Sequence, residues 1–165
     1  MLTEDRYSKI VACSLVDARF DYANSVLFGV TRKNILKIQM VKNTLAHVVT
    51  GLRRRDHIMP TLKRLHWLPI KSRINFKIAS LTFKVRSTNQ PAYLASLISS
   101  YHTGRLLRSA DHYRLTILRV RTAADARTFS AAAPLIWINL PYDITTSFDS
   151  FRRNLKSYFF TITFE

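Results

Sequence analysis

Between Thr31 and Gly51, apolar residues recur at Ile38, Val41, Leu45 and Val48, the spacing of one helical face. Thr31 stands where an N-cap is expected and Gly51 suits the left-handed position after a helix, so the pattern predicts a helix over 32–50. Upstream, Ile10, Leu15, Val16, Phe20, Val26 and Leu27 predict a helix over 5–28 with Gly29 as its stop. A shorter helix is expected around Pro60–Leu65, because proline suits an early helical position. His66-Trp67-Leu68-Pro69 then breaks the pattern.

Residues 70–87 carry two competing periods. Ile74, Phe76 and Ile78 alternate as in a strand, and so do Leu81, Phe83 and Val85. The alternation slips phase between the two sets, and a stretch this long without Gly or Pro exceeds an ordinary strand. As a helix, Ile70, Ile74, Ile78, Leu81 and Val85 form one stripe while Phe76 and Phe83 fall opposite, which predicts a helix buried on two faces. Arg73, Lys77, Ser80 and Lys84 then make a polar ridge about 16 Å long, at ~1.5 Å rise per residue. Pro91 opens a short helix through Ile98. From Tyr101 to Arg127 the periodicity fades, and only Leu115–Val120 reads as a short strand. Phe129–Trp137 reads as a helix ended before Pro141, and Phe148, Phe151, Leu155 and Tyr158 form a last amphipathic stripe with Ser147 as its cap. The expected fold class is mainly α, an irregular multi-helix domain with a short basic loop or strand segment near 101–127. Residues 1–165 are expected to form a single domain.

Composition narrows the class. At 47% hydrophobic the chain is no disordered polycation, and three Gly with five Pro argue against sandwich or collagenous designs. One cysteine, Cys13, excludes an internal disulfide and a multi-cysteine zinc module, and points to a reducing compartment. The start, Met1-Leu2-Thr3-Glu4-Asp5-Arg6, is acidic where a signal peptide needs positive charge, and the first apolar run, Ile10 to Val16, is far shorter than a membrane span. The expectation is an intracellular protein, in nucleus and/or cytoplasm, neither secreted nor membrane-bound.

Charge adds a partner. The 26 basic and 10 acidic residues give a net +16, unevenly placed. Residues 51–90 carry ten basic groups and one acidic, a net +9, whereas 131–165 carry three of each, which suggests packing there rather than phosphate contact. Clustered charge in so basic a chain is the electrostatic footprint of a nucleic-acid binder. The candidate contacts are Arg53, Arg54, Arg55, Lys71, Arg73, Lys77 and Lys84, with the arginines of the aperiodic segment, Arg105, Arg108, Arg114, Arg119, Arg121 and Arg127. That segment holds no lysine, and the planar guanidinium fork suits bidentate phosphate recognition. The alternative is a solvated basic surface, or one that meets an acidic protein.

Catalytic chemistry finds little support. Phosphoryl transfer needs carboxylates gathered round a metal, and the acidic pair at useful spacing, Asp17 and Asp21, has no third member and reads as an exposed helical pair. The histidines at 47, 57, 66, 102 and 112 do not pair with cysteines at zinc spacing. Glycines at 29, 51 and 104 make no phosphate loop. His66 beside Trp67 could stack on a base, but Trp67 reads better as a core anchor. No cofactor is expected.

Strings along nearly the whole chain, in order and with co-linear spacing, resemble the carboxy-terminal region of the reverse transcriptase of non-LTR retrotransposons, of the jockey and chicken-repeat type. Leu2-Thr3 followed by RFDYANSVLFG (Arg19–Gly29) is similar to the family's LT…RLDYCNSLLYG. LKIQMVKNTLAHVVTG (Leu36–Gly51) resembles LQRVQNAAARLVTG, and DHIMPTLKRLHWLPIKSRINFKIASLTFK (Asp56–Lys84) resembles DHITPVLRDLHWLPVEQRIKFKILLLTFK. Pro91–Leu97, Phe129–Pro141 and Ser150–Lys156 resemble PSYLSEL, FSVAAPRLWNSLP and SFKRQLK. Ala23 replaces the family's Cys, His47 its Arg, and Ile138 stands where a polar residue is usual.

The resemblance implies a helical region following the polymerase thumb that helps hold template RNA and target DNA. The palm carboxylates and the endonuclease lie upstream in the family and are absent from these residues, so the expectation is a non-catalytic reverse transcriptase fragment that binds RNA or DNA through the phosphate backbone. A further partner is the missing polymerase body in trans. The alternatives are a protein-interaction scaffold and a functionless translated remnant. Detached from that body, the chain is expected to expose apolar surface around Val11, Leu15 and Phe20.

Overall fold

Gly51 holds φ at 67°, a left-handed conformation that strains a residue with a side chain, and it ends helix α1 (Arg32–Thr50) where the pattern places the end. The start also matches, but Thr31 acts through its backbone. Its carbonyl accepts from the amides of Asn34 and Ile35, and its hydroxyl makes no cap bond. The computed structural model describes residues 11, 14–16, 18–22, 24–53, 55–101, 114–145 and 150–165. Among these the architecture is mainly helical, as expected. After α1 come α2 (Ile58–Arg64), α3 (Ile70–Thr88), α4 (Ala92–Ala95), α5 (Phe129–Trp137), α6 (Tyr142–Thr145) and α7 (Phe151–Phe164).

Three of the expected elements need correction. The helix read over 5–28 is described as helical only as far as Asp21, and a 3₁₀ turn, Asn24–Leu27, takes over before Gly29 at φ 70°. The stretch Leu115–Val120 is no strand: Leu115 makes one antiparallel bridge, to Ser100, and Ile117, Leu118 and Val120 are exposed, with no strand among the described residues continuing the ladder. The short helix after Pro91 is a single turn, α4, that stops at Ala95. The cap expected at Ser147 and the stripe residue Phe148 lie outside the described residues.

The bounds of α1 are as expected but its buried face is not. Val41 and Val48, assigned to the core stripe, are 55% and 60% exposed, and the line that turns inward is Lys42 and Ala46, flanked by half-buried Ile35, Ile38 and Val49. A rule that sends lysine to solvent cannot find that face, because Lys42 buries its apolar stem and its ammonium together.

The chain forms two compact units, one of residues up to Ile74 with Tyr158–Glu165, the other of Asn75–Ser157, so α3 and α7 each contribute to both. In the first, α1 packs on α2, and Ala46, Leu62, Leu68, Ile70, Ile74 and Phe159 are buried. Gln39 of α1 does the work of an N-cap for α3: its Oε1 accepts from the Ile70 amide at 2.8 Å, while its Nε2 donates to Asn43 Oδ1 at 2.7 Å. Gln39→Ala is expected to cost about 1 kcal/mol in urea denaturation, the usual loss for a removed cap. An unchanged midpoint would mean that water replaces the amide without cost.

In the second unit, Ile78, Ala79, Thr82 and Val85 of α3 are buried, with Ala131–Ala133, Ile136 and Trp137 of α5 and Phe151 and Leu155 of α7. Thr82 resolves its buried hydroxyl by donating to the Ile78 carbonyl at 2.8 Å. Phe83 lies parallel to Phe151 with centroids 3.8 Å apart, and Trp137 flanks both, at 6.4 and 6.1 Å. The Arg86 guanidinium sits over the Trp137 ring at 5.0 Å. The two-sided burial expected of α3 is thus partly met: Ile78 and Val85 are fully enclosed, whereas Leu81, Phe76 and Phe83 are half-buried.

Candidate nucleic-acid interface

The acidic residue beside the arginines that follow α1 is engaged by backbone. Asp56 Oδ2 accepts from the Arg53 amide at 2.8 Å, and the Asp56 amide donates to the Arg53 carbonyl at 3.0 Å. The turn so closed leaves Arg53 and Arg55 exposed; Arg54 lies outside the described residues. Lys71, in the first turn of α3, is also exposed.

Arg73 behaves differently from its neighbours on the expected ridge. It is half-buried, its Nε donates to Asp21 Oδ1 at 2.9 Å, and a terminal nitrogen pairs with Asp21 Oδ2, a bidentate fork on one carboxylate. Asn24 Nδ2 donates to the same Oδ1 at 3.3 Å. Asp21, read as half of an exposed acidic pair, is therefore a clamp that fixes Arg73 (Asp17 lies outside the described residues). A fork whose carboxylate is half exposed contributes about 0.2–1 kcal/mol, and its main consequence is positional: Arg73 leaves the ridge.

Lys77 and Lys84 remain on it, both exposed, in the second unit. They border a groove of about 460 Å³ whose floor includes Phe76, Leu81 and the fully buried Phe151, and whose rim is joined by Arg152 from the first turn of α7. Arg152 is invisible to the charge pattern because the net charge of 131–165 is zero, and a segment average hides which face a charge occupies. The available signal was the Arg152-Arg153 doublet directly after an apolar Phe151 at a helix start.

Of the arginines in the aperiodic segment, Arg114, Arg119 and Arg121 are exposed outside any helix, Arg127 is exposed at the end of a 3₁₀ turn (Asp125–Arg127), and Arg105 and Arg108 lie outside the described residues. Among the described residues no ion pair engages Arg53, Arg55, Lys71, Lys77, Lys84, Arg119 or Arg121. Among the described residues Lys42 is the basic residue hidden from solvent, and its Nζ lies 5.6 Å from the Trp67 ring centroid. Trp67 is half-buried beneath that ammonium, and the neighbouring His66, at φ 54°, stacks on Phe160 at 5.2 Å. Both rings thus have partners within the chain.

The apolar surface expected near the N-terminus is present at Val11 and Leu15, both exposed, while Phe20 is half-buried. No group of three His, Cys, Asp or Glu side chains placed to hold a metal occurs among the described residues, and no described helix is long and apolar enough to cross a membrane. Comparison of the chain with protein-family models, curated proteins and solved structures returned no match.

Proposed function

We propose that the chain is the post-thumb, carboxy-terminal region of a non-LTR retrotransposon reverse transcriptase, and that it holds RNA or DNA by the phosphate backbone without catalysing a reaction. The origin rests on the co-linear strings from Leu2-Thr3 to Lys156. The binding rests on one observation: Arg53, Arg55, Lys71, Lys77, Lys84, Arg119 and Arg121 are exposed and none is neutralised by an ion pair among the described residues. Cations placed this way attract a polyanion and release its counterions on contact, a sequence-independent source of affinity. The motif residues Asp21 and Asn24 fit a non-catalytic region, since they are engaged in holding Arg73.

The triple variant Arg53→Ala, Arg55→Ala, Lys71→Ala separates this function from a protein-interaction scaffold. It is expected to weaken binding of an RNA hairpin and a DNA duplex alike, and to reduce the steepness of the salt dependence by about one for each phosphate that the variant no longer neutralises. Affinity for both nucleic acids equal to that of the unsubstituted chain would remove these residues from the interface.

A further inference from the structure

The groove in the second unit combines two properties that phosphate binding alone does not require. Its rim is cationic, Lys77, Lys84 and Arg152 all being exposed, and no acidic residue is among the described residues that line it. Its floor is apolar, and Phe76 is half-buried there and stacks on no other ring among the described residues, unlike Phe83 and Phe151, which face each other. In the same wall the Ser80 hydroxyl oxygen is buried without a hydrogen-bond partner among the described residues, a state that costs about 1–3 kcal/mol until an acceptor or donor arrives. The volume, about 460 Å³, lies within the usual range for sites that enclose a small planar molecule.

A duplex offers phosphates but keeps its bases stacked inside, so it satisfies the rim and leaves the floor against water. An inorganic anion does the same. The ligand that matches both parts is an anion with a flat apolar body, which in a polynucleotide means an unpaired nucleotide. We propose that this groove seats an unpaired base of single-stranded nucleic acid against Phe76, with the flanking phosphates on Lys77, Lys84 and Arg152. Lys77 and Lys84 are seven residues apart on α3, a separation of roughly 10.5 Å along the axis, so they meet different phosphates of one extended strand. This inference rests on the phosphate-binding function proposed above and adds to it the class of strand: stacking platforms with charged borders are how single strands are held without regard to sequence.

The test is fluorescence anisotropy of the full chain with three probes of equal charge: a short oligouridine, the same backbone with abasic sugars, and a short RNA duplex. The oligouridine is expected to bind about fivefold or more tighter than the abasic strand, as one stacked base contributes on the order of 1–3 kcal/mol. Phe76→Leu, which keeps apolar volume but removes the ring face, is expected to erase that difference while leaving duplex affinity and the far-UV circular dichroism spectrum unchanged. Equal binding of oligouridine and abasic strand by the unsubstituted chain would overturn the groove and leave phosphate binding standing. Absence of binding to all three would overturn both. An acidic amphipathic peptide that binds tighter than oligouridine, and loses that affinity in Phe76→Leu, would overturn the assignment by giving the groove to a protein partner.

Discussion

Replacing Phe151 by alanine is expected to destabilise the protein by about 3–5 kcal/mol, a large fraction of a total stability on the order of 5–15 kcal/mol. The side chain is fully enclosed, at 0% exposure, and its ring lies 3.8 Å from that of Phe83 and 6.1 Å from that of Trp137. Truncation removes the transfer free energy of the ring and leaves a cavity. Phe151→Leu refills most of the space and is expected to cost less than half as much. Urea denaturation followed by far-UV circular dichroism checks both; a loss below about 1 kcal/mol for the alanine variant is incompatible with a core position. Because Phe151 also floors the groove, binding tests belong on Phe76, whose ring is only half-buried.

The second large effect is expected at Trp67. Its ring lies beneath an ammonium that has no exposure to solvent, Lys42 Nζ at 5.6 Å. A charge removed from water is costly unless the protein replaces what hydration supplied, and a desolvated cation–π contact supplies about 2 kcal/mol. Trp67→Ala is expected to cost about 3 kcal/mol or more, counting packing and the weakened cation. The diagnostic is Lys42→Met, which keeps the apolar stem and deletes the charge. In the Trp67→Ala background it is expected to restore about 2 kcal/mol, because the methionine needs no ring beneath it. Strict additivity of the two substitutions in denaturation experiments would show that ring and ammonium are not coupled.

The same pair marks where local sequence pattern succeeds and fails. Local signals located α1, α3 and α5 closely: Gly51 and its positive φ, the Gly- and Pro-free run after Pro69, and Phe129 to Trp137. Which face of α1 turns inward is a tertiary matter. The apolar spacing through Val41 and Val48 pointed one way, and Lys42 over Trp67 with Ala46 fully buried settled it the other way. The candidate contacts divide for the same reason. Exposure of Arg53, Lys71, Lys77 and Lys84 follows from helix periodicity and turn chemistry, whereas the diversion of Arg73 to Asp21 depends on two residues 52 positions apart that no local pattern relates. Arg152 joins Lys77 and Lys84 only because α7 returns to α3 within the second unit.

Phosphate holding stands or falls on the salt dependence of single-stranded RNA binding by the unsubstituted chain, followed by anisotropy from about 50 to about 300 mM monovalent salt. With roughly 0.7 of a unit of slope per phosphate neutralised on a single strand, about six such phosphates give a log–log slope of about −4, a fall in affinity on the order of a thousandfold across that range. A folded sample that binds no RNA at the lowest salt, or binds it with an affinity that salt leaves unchanged, would mean that the exposed cations do not meet phosphate.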